Sequence, residues 1–212
     1  MGKRHKKFLL VANGEVDEEL LKLVNHKEFD QIVAADGGAK KLLQFGVVPH
    51  VVVGDLDSLS QQDFEKLATA QILHRPSQEL NDLEKALIYC LEQRVEHVVL
   101  LGITGGRTDH TLNNFSVLMR YFKKFKLNIY NRYSEIFLVD DYFEYSGQKG
   151  QNVSLIPLGL VTGIKTTGLS YPLDKETLGL GIREGLSNEI VDGFFSVEVE
   201  NGVLLIFVNR IS

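Results

Sequence analysis

The spacing of hydrophobic and polar positions changes once along the chain. Up to about residue 131, short apolar runs alternate with stretches whose apolar residues recur every three or four positions. Residues 8–12, 31–35, 51–53, 71–74 and 97–101 read as strands. They are apolar on both faces, as parallel strands covered by helices must be. Between them, residues 17–24, 39–45, 61–68 and 82–93 read as helices. In the last of these, Leu83, Ala86, Leu87, Cys90 and Leu91 line one face at helical spacing. Asn81 stands where an N-cap belongs, and Glu84 where the acid of a capping box belongs. A further helix follows Asp109, with Leu112, Phe115, Met119 and Phe122 as its apolar stripe. Alternation of this kind implies right-handed crossovers and a doubly wound parallel sheet.

After Asn131 the period shortens. Residues 135–139, 142–145, 152–156, 161–166, 194–199 and 203–208 are short β runs separated by turn residues such as Ser146-Gly147, Lys149-Gly150 and Asp192-Gly193. Asn201-Gly202, between two alternating runs, predicts a hairpin. The expectation is therefore an α/β class chain: a doubly wound parallel-sheet domain over residues 1–131, then an antiparallel β-sandwich over 132–212.

Composition narrows the options without choosing among them. With 44% hydrophobic and 24% charged residues, the chain can bury a real core. A net charge of −5 gives no reason to expect a nucleic-acid or membrane partner. A single cysteine, Cys90, excludes an internal disulfide and fits a reducing, cytoplasmic setting. The basic start Lys3-Arg4-His5-Lys6-Lys7 resembles the beginning of an export signal. The apolar run behind it, residues 8–12, is too short for a signal or a membrane span. Gly2 lacks Ser or Thr at position 6, which argues against myristoylation.

In an open parallel sheet, ligands bind outside the carboxyl ends of the strands, so the residues just past each strand are informative. The predicted strands end in Asn13-Gly14, in Asp36-Gly37-Gly38, in Gly54-Asp55-Leu56-Asp57-Ser58, and in Gly105-Gly106-Arg107-Thr108-Asp109-His110. Glu79 and Asp82 come after the fourth. Taken singly, Asp82 reads as a first-turn helix acid, Asp109 as an N-cap, and the glycines as turn formers. Asp55 and Asp57 resist that reading, because two acids after an all-valine strand do little for stability. Two carboxylates ~4 Å apart repel by about 4 kcal/mol at an effective dielectric of 20. Bringing Asp36, Asp55, Asp57 and Asp82 to one edge therefore calls for a cation. Oxygen ligands without thiols or paired imidazoles favour Mg²⁺. Gly105-Gly106-Arg107 supplies the complement, an open backbone and a guanidinium for phosphate oxygens.

These residues resemble the thiamine pyrophosphokinase family. Ala35-Asp36-Gly37-Gly38-Ala39 is similar to its first signature, and residues 46–59 (GVVPHVVVGDLDSL) to its second. Gly105-Gly106-Arg107-Thr108-Asp109-His110 is similar to its GGRxDH signature, with Asn113-Asn114 in register. Gly168-Leu169-Ser170-Tyr171-Pro172-Leu173 and Gly185-Leu186-Ser187-Asn188-Glu189 resemble its sandwich motifs. The resemblance implies a homodimer with active sites between subunits, and attack of the thiamine hydroxyl on the β-phosphorus of ATP with AMP leaving. It implies Asp55, Asp57 and Asp82 as ligands of Mg²⁺ on the triphosphate, with Asp57 also counted in the catalytic set beside Arg107 and Asp109. Arg107 would stabilise transition-state charge, and Asp109 would be the base or orienting group for the hydroxyl. Asp36, Gly37, Gly38, Gly105 and Gly106 would surround the nucleotide; Ser187 and Asn188 would meet thiamine. His110 reads equally well as a structural residue of its turn. Where the family has Asp-x-Thr-Asp, this chain has Glu79-Leu80-Asn81-Asp82, so Glu79 is expected to reach the metal through a water or to face solvent.

Two rival functions share these features. A haloacid-dehalogenase-like phosphatase also has an apolar strand ending in Asp-x-Asp, but it wants Thr or Val where Leu59 stands and leaves the sandwich unexplained. A non-catalytic thiamine or nucleotide sensor on the same fold fits everything except the full set of acids. A dinucleotide dehydrogenase fails, because no G-x-G-x-x-G comes after the first strand.

Overall fold

The computed structural model describes residues 5–77 and 79–211, so Gly2, Lys3 and Arg4 lie outside the described residues. The chain divides into two compact units, one ending at Arg132 and one beginning at Tyr133.

The first unit carries six parallel strands, β1 (Lys7–Val11), β2 (Gln31–Ala35), β3 (Val51–Gly54), β4 (Gln71–His74), β5 (His97–Leu101) and β6 (Lys126–Tyr130). Their order is β6-β5-β1-β2-β3-β4. The helices are α1 (Glu18–Leu23), α2 (Gly38–Leu43), α3 (Gln61–Lys66), α4 (Asp82–Glu92) and α5 (Thr108–Tyr121). β1 pairs in register with both β2 (Leu10 opposite Val33) and β5 (Leu10 opposite Leu100). The winding thus runs outward from β1 to β4, and α4 carries the chain back across to β5.

The double covering explains the unbroken apolar runs. Leu9, Val11, Ile32, Ala34, Val52 and Leu101 pack with Leu20, Leu21, Ala39, Leu42 and Leu67 from α1, α2 and the end of α3. The intervening Leu10, Val33, Val53 and Leu100 point to the opposite face and are fully buried too. There α4 packs on β2 and β3. Side-chain caps fix three helix starts. Asp17 accepts from the Leu20 N–H at 2.7 Å, Ser60 and Asp63 form a reciprocal capping box, and Asn81 accepts from the Glu84 N–H at 2.8 Å.

The Glu84 carboxylate does not return to close the box expected at Asn81. It accepts instead from Arg120 Nη2 (2.6 Å) and Tyr121 Oη (3.0 Å) on α5. A carboxylate this deeply buried needs charged or strong donors, and α5 presents two. The apolar stripes are also rotated from expectation. On α5, Phe115, Val117 and Leu118 are buried, whereas Leu112 and Met119 are exposed, as is Leu91 on α4. The Asn114 amide donates to the Ile103 carbonyl at 2.8 Å, which turns the 114–118 side of α5 toward the sheet. Strand β6, with only Leu127 and Ile129 apolar between polar neighbours, is not among the expected strands.

The second unit is a sandwich of two four-stranded antiparallel sheets. One has the order β12-β9-β14-β7, from β12 (Gly185–Glu189), β9 (Asn152–Pro157), β14 (Leu204–Asn209) and β7 (Ser134–Val139). The other has the order β11-β10-β13-β8, from β11 (Glu176–Gly179), β10 (Leu160–Thr167), β13 (Phe194–Glu198) and β8 (Tyr142–Ser146). Val153, Leu155, Ile164, Phe195, Val197, Leu204 and Ile206 fill the space between them. The hairpin expected at Asn201-Gly202 is absent. β13 pairs with β8 and β10, while β14 pairs with β7 and β9. The turn carries the chain from one sheet to the other, and both strands send residues, Phe195 and Leu204 among them, into the core between the sheets. Asn201 bridges to Thr162 instead. β11 and β12, short and polar, are likewise outside the expected set. Among the described residues, no helix is long and apolar enough to cross a membrane.

Candidate active site

The carboxyl ends of β1, β2, β3 and β5, with the first turns of α4 and α5, line a cleft of ≈ 400 Å³. It opens where the strand order reverses, between β1 and β5. Asp36, Gly37, Asp55, Asp57 and Asp82 line one side, and Gly105, Gly106, Arg107 and His110 are also in its wall.

Three carboxylates converge there. One oxygen each of Asp36, Asp55 and Asp57 lies within 4.8 Å of the other two. Asp36 is only 3% exposed, and its Oδ1 is buried without a hydrogen-bond partner. Burial pushes the Asp36 carboxyl up, with the charges of Asp82 and Asp55 adding to it against hydrogen bonds from Ser58 and the Gly37 N–H. Asp36 and Leu56, between Asp55 and Asp57, have left-handed backbones (φ 40° and 68°). Such conformations cost of order 1–3 kcal/mol each and persist where the surroundings over-determine them. Gly54 makes the approach possible. A Cβ there would lie 2.7 Å from Asp36 Cβ and 3.2 Å from Asp82 Oδ1. Gly38, by contrast, is packed beneath the cleft, where a Cβ would meet the Val11 carbonyl oxygen at 2.1 Å.

Asp82 shares the wall but not the triad. Its Oδ1 accepts from Lys85 Nζ at 2.9 Å, and the same ammonium stands 3.6 Å from Asp55 Oδ2. Sequence reasoning misses Lys85, although it stands one turn after Asp82 on a helix start where both flanking residues are buried. Burial raises the Asp55 carboxyl, but the Asp57 N–H and the Lys85 charge outweigh it and hold it below its ordinary value.

Across the cleft, Gly105 and Gly106 have positive φ (87° and 70°), a path side chains other than glycine rarely follow. Arg107 is exposed and forks onto Asp109, Nε to Oδ1 at 3.1 Å and Nη2 to Oδ2 at 2.5 Å. That pairing holds the Asp109 carboxyl below its usual range. Arg107 rather than Asp109 stands at the N-cap position of α5, without a side-chain capping bond, and Asp109 is not part of the cleft lining. His110, Thr111 and Asn114 are, one face of the first turns of α5. Glu79 is exposed and outside the lining. Cys90, whose thiol burial pushes up to about 12, stays out of the cleft.

In the second unit Ser187 and Asn188 sit on β12 at an irregularity in its pairing with β9. Ser187 is exposed with φ 58°. Asn188 is buried and committed: its Oδ1 accepts from the Tyr171 N–H (3.0 Å) and Glu189 N–H (2.9 Å), and its Nδ2 donates to the Tyr171 carbonyl (2.7 Å).

A doubly wound unit with an acid- and glycine-lined cleft at the carboxyl ends of its strands, followed by a sandwich, is the architecture with which comparisons with known proteins agree. The family described as "Thiamin pyrophosphokinase, catalytic domain" matches residues 21–131, and "Thiamin pyrophosphokinase, vitamin B1 binding domain" matches residues 141–204. The chain belongs to the thiamin pyrophosphokinase family. It is 30% identical over 181 residues to a thiamine pyrophosphokinase of Bacillus subtilis, covering 82% of this chain and 84% of that one. It is 29% identical over 196 residues to thiamin pyrophosphokinase 1 of Caenorhabditis elegans, covering 81% and 80%. The crystal structure of thiamin pyrophosphokinase from Geobacillus thermodenitrificans superposes with a TM-score of 0.82 at 26% identity, over 97% of this chain and 98% of that one. The phosphatase reading has no support in these matches.

Proposed function

We propose that this chain transfers the pyrophosphoryl group of ATP to the hydroxyl of thiamine, giving thiamine diphosphate and AMP. The hydroxyl oxygen bonds to the β-phosphorus, the bond from that phosphorus to the oxygen bridging to the α-phosphorus breaks, and the hydroxyl gives up its proton. Beyond family membership, one observation carries the reading: the partnerless, buried Oδ1 of Asp36 in an all-oxygen cluster on the cleft that also holds Arg107.

The donor set fits Mg²⁺, which takes hard oxygen ligands and keeps places for phosphate oxygens. Asp36, Asp55 and Asp57 would hold it, with Asp82 beside them. Bound there, Mg²⁺ would neutralise the acids and the charge on the triphosphate. Arg107 would exchange the Asp109 carboxylate for phosphate oxygens, its fork matching their geometry. Asp109, once released, is an ionised carboxylate able to orient or accept the hydroxyl proton. Gly37, Gly105 and Gly106 let the backbone come close to the nucleotide. Ser187 would offer its hydroxyl to thiamine, while Asn188 would fix the strand that presents it. A homodimer with active sites shared between subunits, and a cytoplasmic setting consistent with one buried thiol, belong to the same proposal.

The test is AMP release. AMP should form from ATP only when thiamine and Mg²⁺ are both present. Inorganic phosphate from a monoester would favour a phosphatase instead, and thiamine binding with no AMP would favour a sensor.

A further inference from the structure

The side chain of Lys85 is 3% exposed and is not part of the cleft lining. It lies behind the acids, 2.9 Å from Asp82 Oδ1 and 3.6 Å from Asp55 Oδ2. Those two carboxylates come from different elements, the loop after β3 and the first residue of α4. A buried ammonium is costly to desolvate; a buried ion pair replaced as a whole by apolar side chains is often no less stable, whereas removing one partner leaves the other charge uncompensated. Of the neighbouring buried positions of α4, Leu83, Ala86 and Leu87 are apolar, and Glu84 is paired with Arg120 and Tyr121 of α5. Apolar side chains in place of the whole group would serve the fold as well, so the lysine is there because Asp55 and Asp82 are. One ammonium among four carboxylates also leaves the cluster short of neutrality, and that deficit is what a divalent cation meets.

We propose that Lys85 is a positioning residue, a built-in counter-ion that ties Asp55 to Asp82 and holds the acid cluster assembled before any cation arrives. This rests on the reading of the cluster as a cation site. Without the ammonium, Asp55 and Asp82 repel, and an added cation takes over part of its work.

The experiment is thermal unfolding of the full chain, without nucleotide or thiamine, at zero and saturating Mg²⁺. Wild type, Lys85→Met and Lys85→Arg are compared. Lys85→Met should lower the midpoint by roughly 5 °C without Mg²⁺, and Mg²⁺ should recover at least half of that loss, a larger shift than it gives wild type. Lys85→Arg keeps the charge and should respond as wild type does. A lysine that only fills space would lower the midpoint equally with and without Mg²⁺, and that result overturns the proposal. No Mg²⁺ response in any of the three proteins overturns it together with the cation reading. The expected Mg²⁺ difference in a protein that releases no AMP supports Lys85's role and overturns the proposed reaction instead. If Lys85→Met does not fold, Lys85→Met combined with Asp82→Asn removes one charge of each sign and should fold. A double variant no more stable than the single one overturns the proposal.

Discussion

Glu84 on α4 and Arg120 on α5 are joined by a 2.6 Å hydrogen-bonded ion pair, with the Tyr121 hydroxyl on the other carboxylate oxygen at 3.0 Å. Glu84 stands between Asp82 and Lys85 in sequence, so this pair sets the acid-bearing helix against the helix that begins after Arg107. The pair is intermediate in environment, since Glu84 is buried and Arg120 is 52% exposed. Glu84→Ala should cost about 2 kcal/mol, more than an exposed pair and less than a fully buried one. Urea unfolding gives the number. Turnover should fall several-fold as well, and unchanged stability and turnover would show that the pair positions nothing.

Asp55 and Asp57 should separate in a way the sequence alone does not foresee. Asp57→Asn relieves repulsion at no cost to Lys85, so the midpoint without Mg²⁺ should hold or rise. Asp55→Asn takes a partner from a buried ammonium and should lower it. Both should reduce AMP formation by about 10³-fold, the scale of losing a main electrostatic group. Calorimetry and an AMP assay on both variants decide the matter, and a variant retaining most of its activity removes that acid from the site.

Arg107→Lys keeps the charge and loses the fork. The fall in kcat/KM for ATP should be on the order of 10²-fold, because lysine binds as a point charge. Asp109→Asn frees the guanidinium from its partner. On the proposed roles, ATP binding should then tighten while turnover drops, a split that equilibrium binding and initial rates together resolve.

His97 sets an acid limit on stability away from the cleft. Burial, with the charges of Lys7 and Lys126, pushes its imidazole below the ordinary 6.5, against a 2.7 Å hydrogen bond to Asn128. A depressed histidine contributes stability that is fully present above pH 6.5 and is lost as pH falls through its lower folded value. The slope cannot exceed about 1.4 kcal/mol per pH unit for one proton. His97→Gln should flatten unfolding free energy over the range just below pH 6.5, and an unchanged slope would assign the titration elsewhere.

The fold is legible where burial imposes a period. β2 and β5 appear at the expected residues, as does β4 although none of its residues is buried, and the other expected strands and helices differ at their ends by a few residues. Elements whose faces carry few apolar residues are not legible: β6, β11 and β12 rely on neighbouring strands for their hydrogen bonds. Asn201-Gly202 misleads because a turn signal specifies a bend and not which sheet the next strand joins. In the cleft, the acids and Gly105-Gly106-Arg107 can be read because all come directly after strand ends. Lys85 cannot, since its meaning depends on Asp55, which only the tertiary fold brings within 3.6 Å. Asn188, expected at thiamine, is tied to the Tyr171 backbone, a partner that polarity alone does not reveal.

β1 lies between β2 and β5, so Lys7 sits opposite His97, almost half the chain away. This ordering makes the cleft a late product of synthesis and folding. Asp36 and Asp55 emerge from the ribosome ahead of Lys85, and Arg107 emerges after all of them. Nonlocal pairings of this kind are slow to form. A nascent chain that has not yet reached α4 holds mutually repelling acids with neither their lysine partner nor the opposite wall of the cleft in place. The acids that the proposed reading assigns to a cation thus work against the half-made chain, until α4 crosses the sheet and brings Lys85 with it.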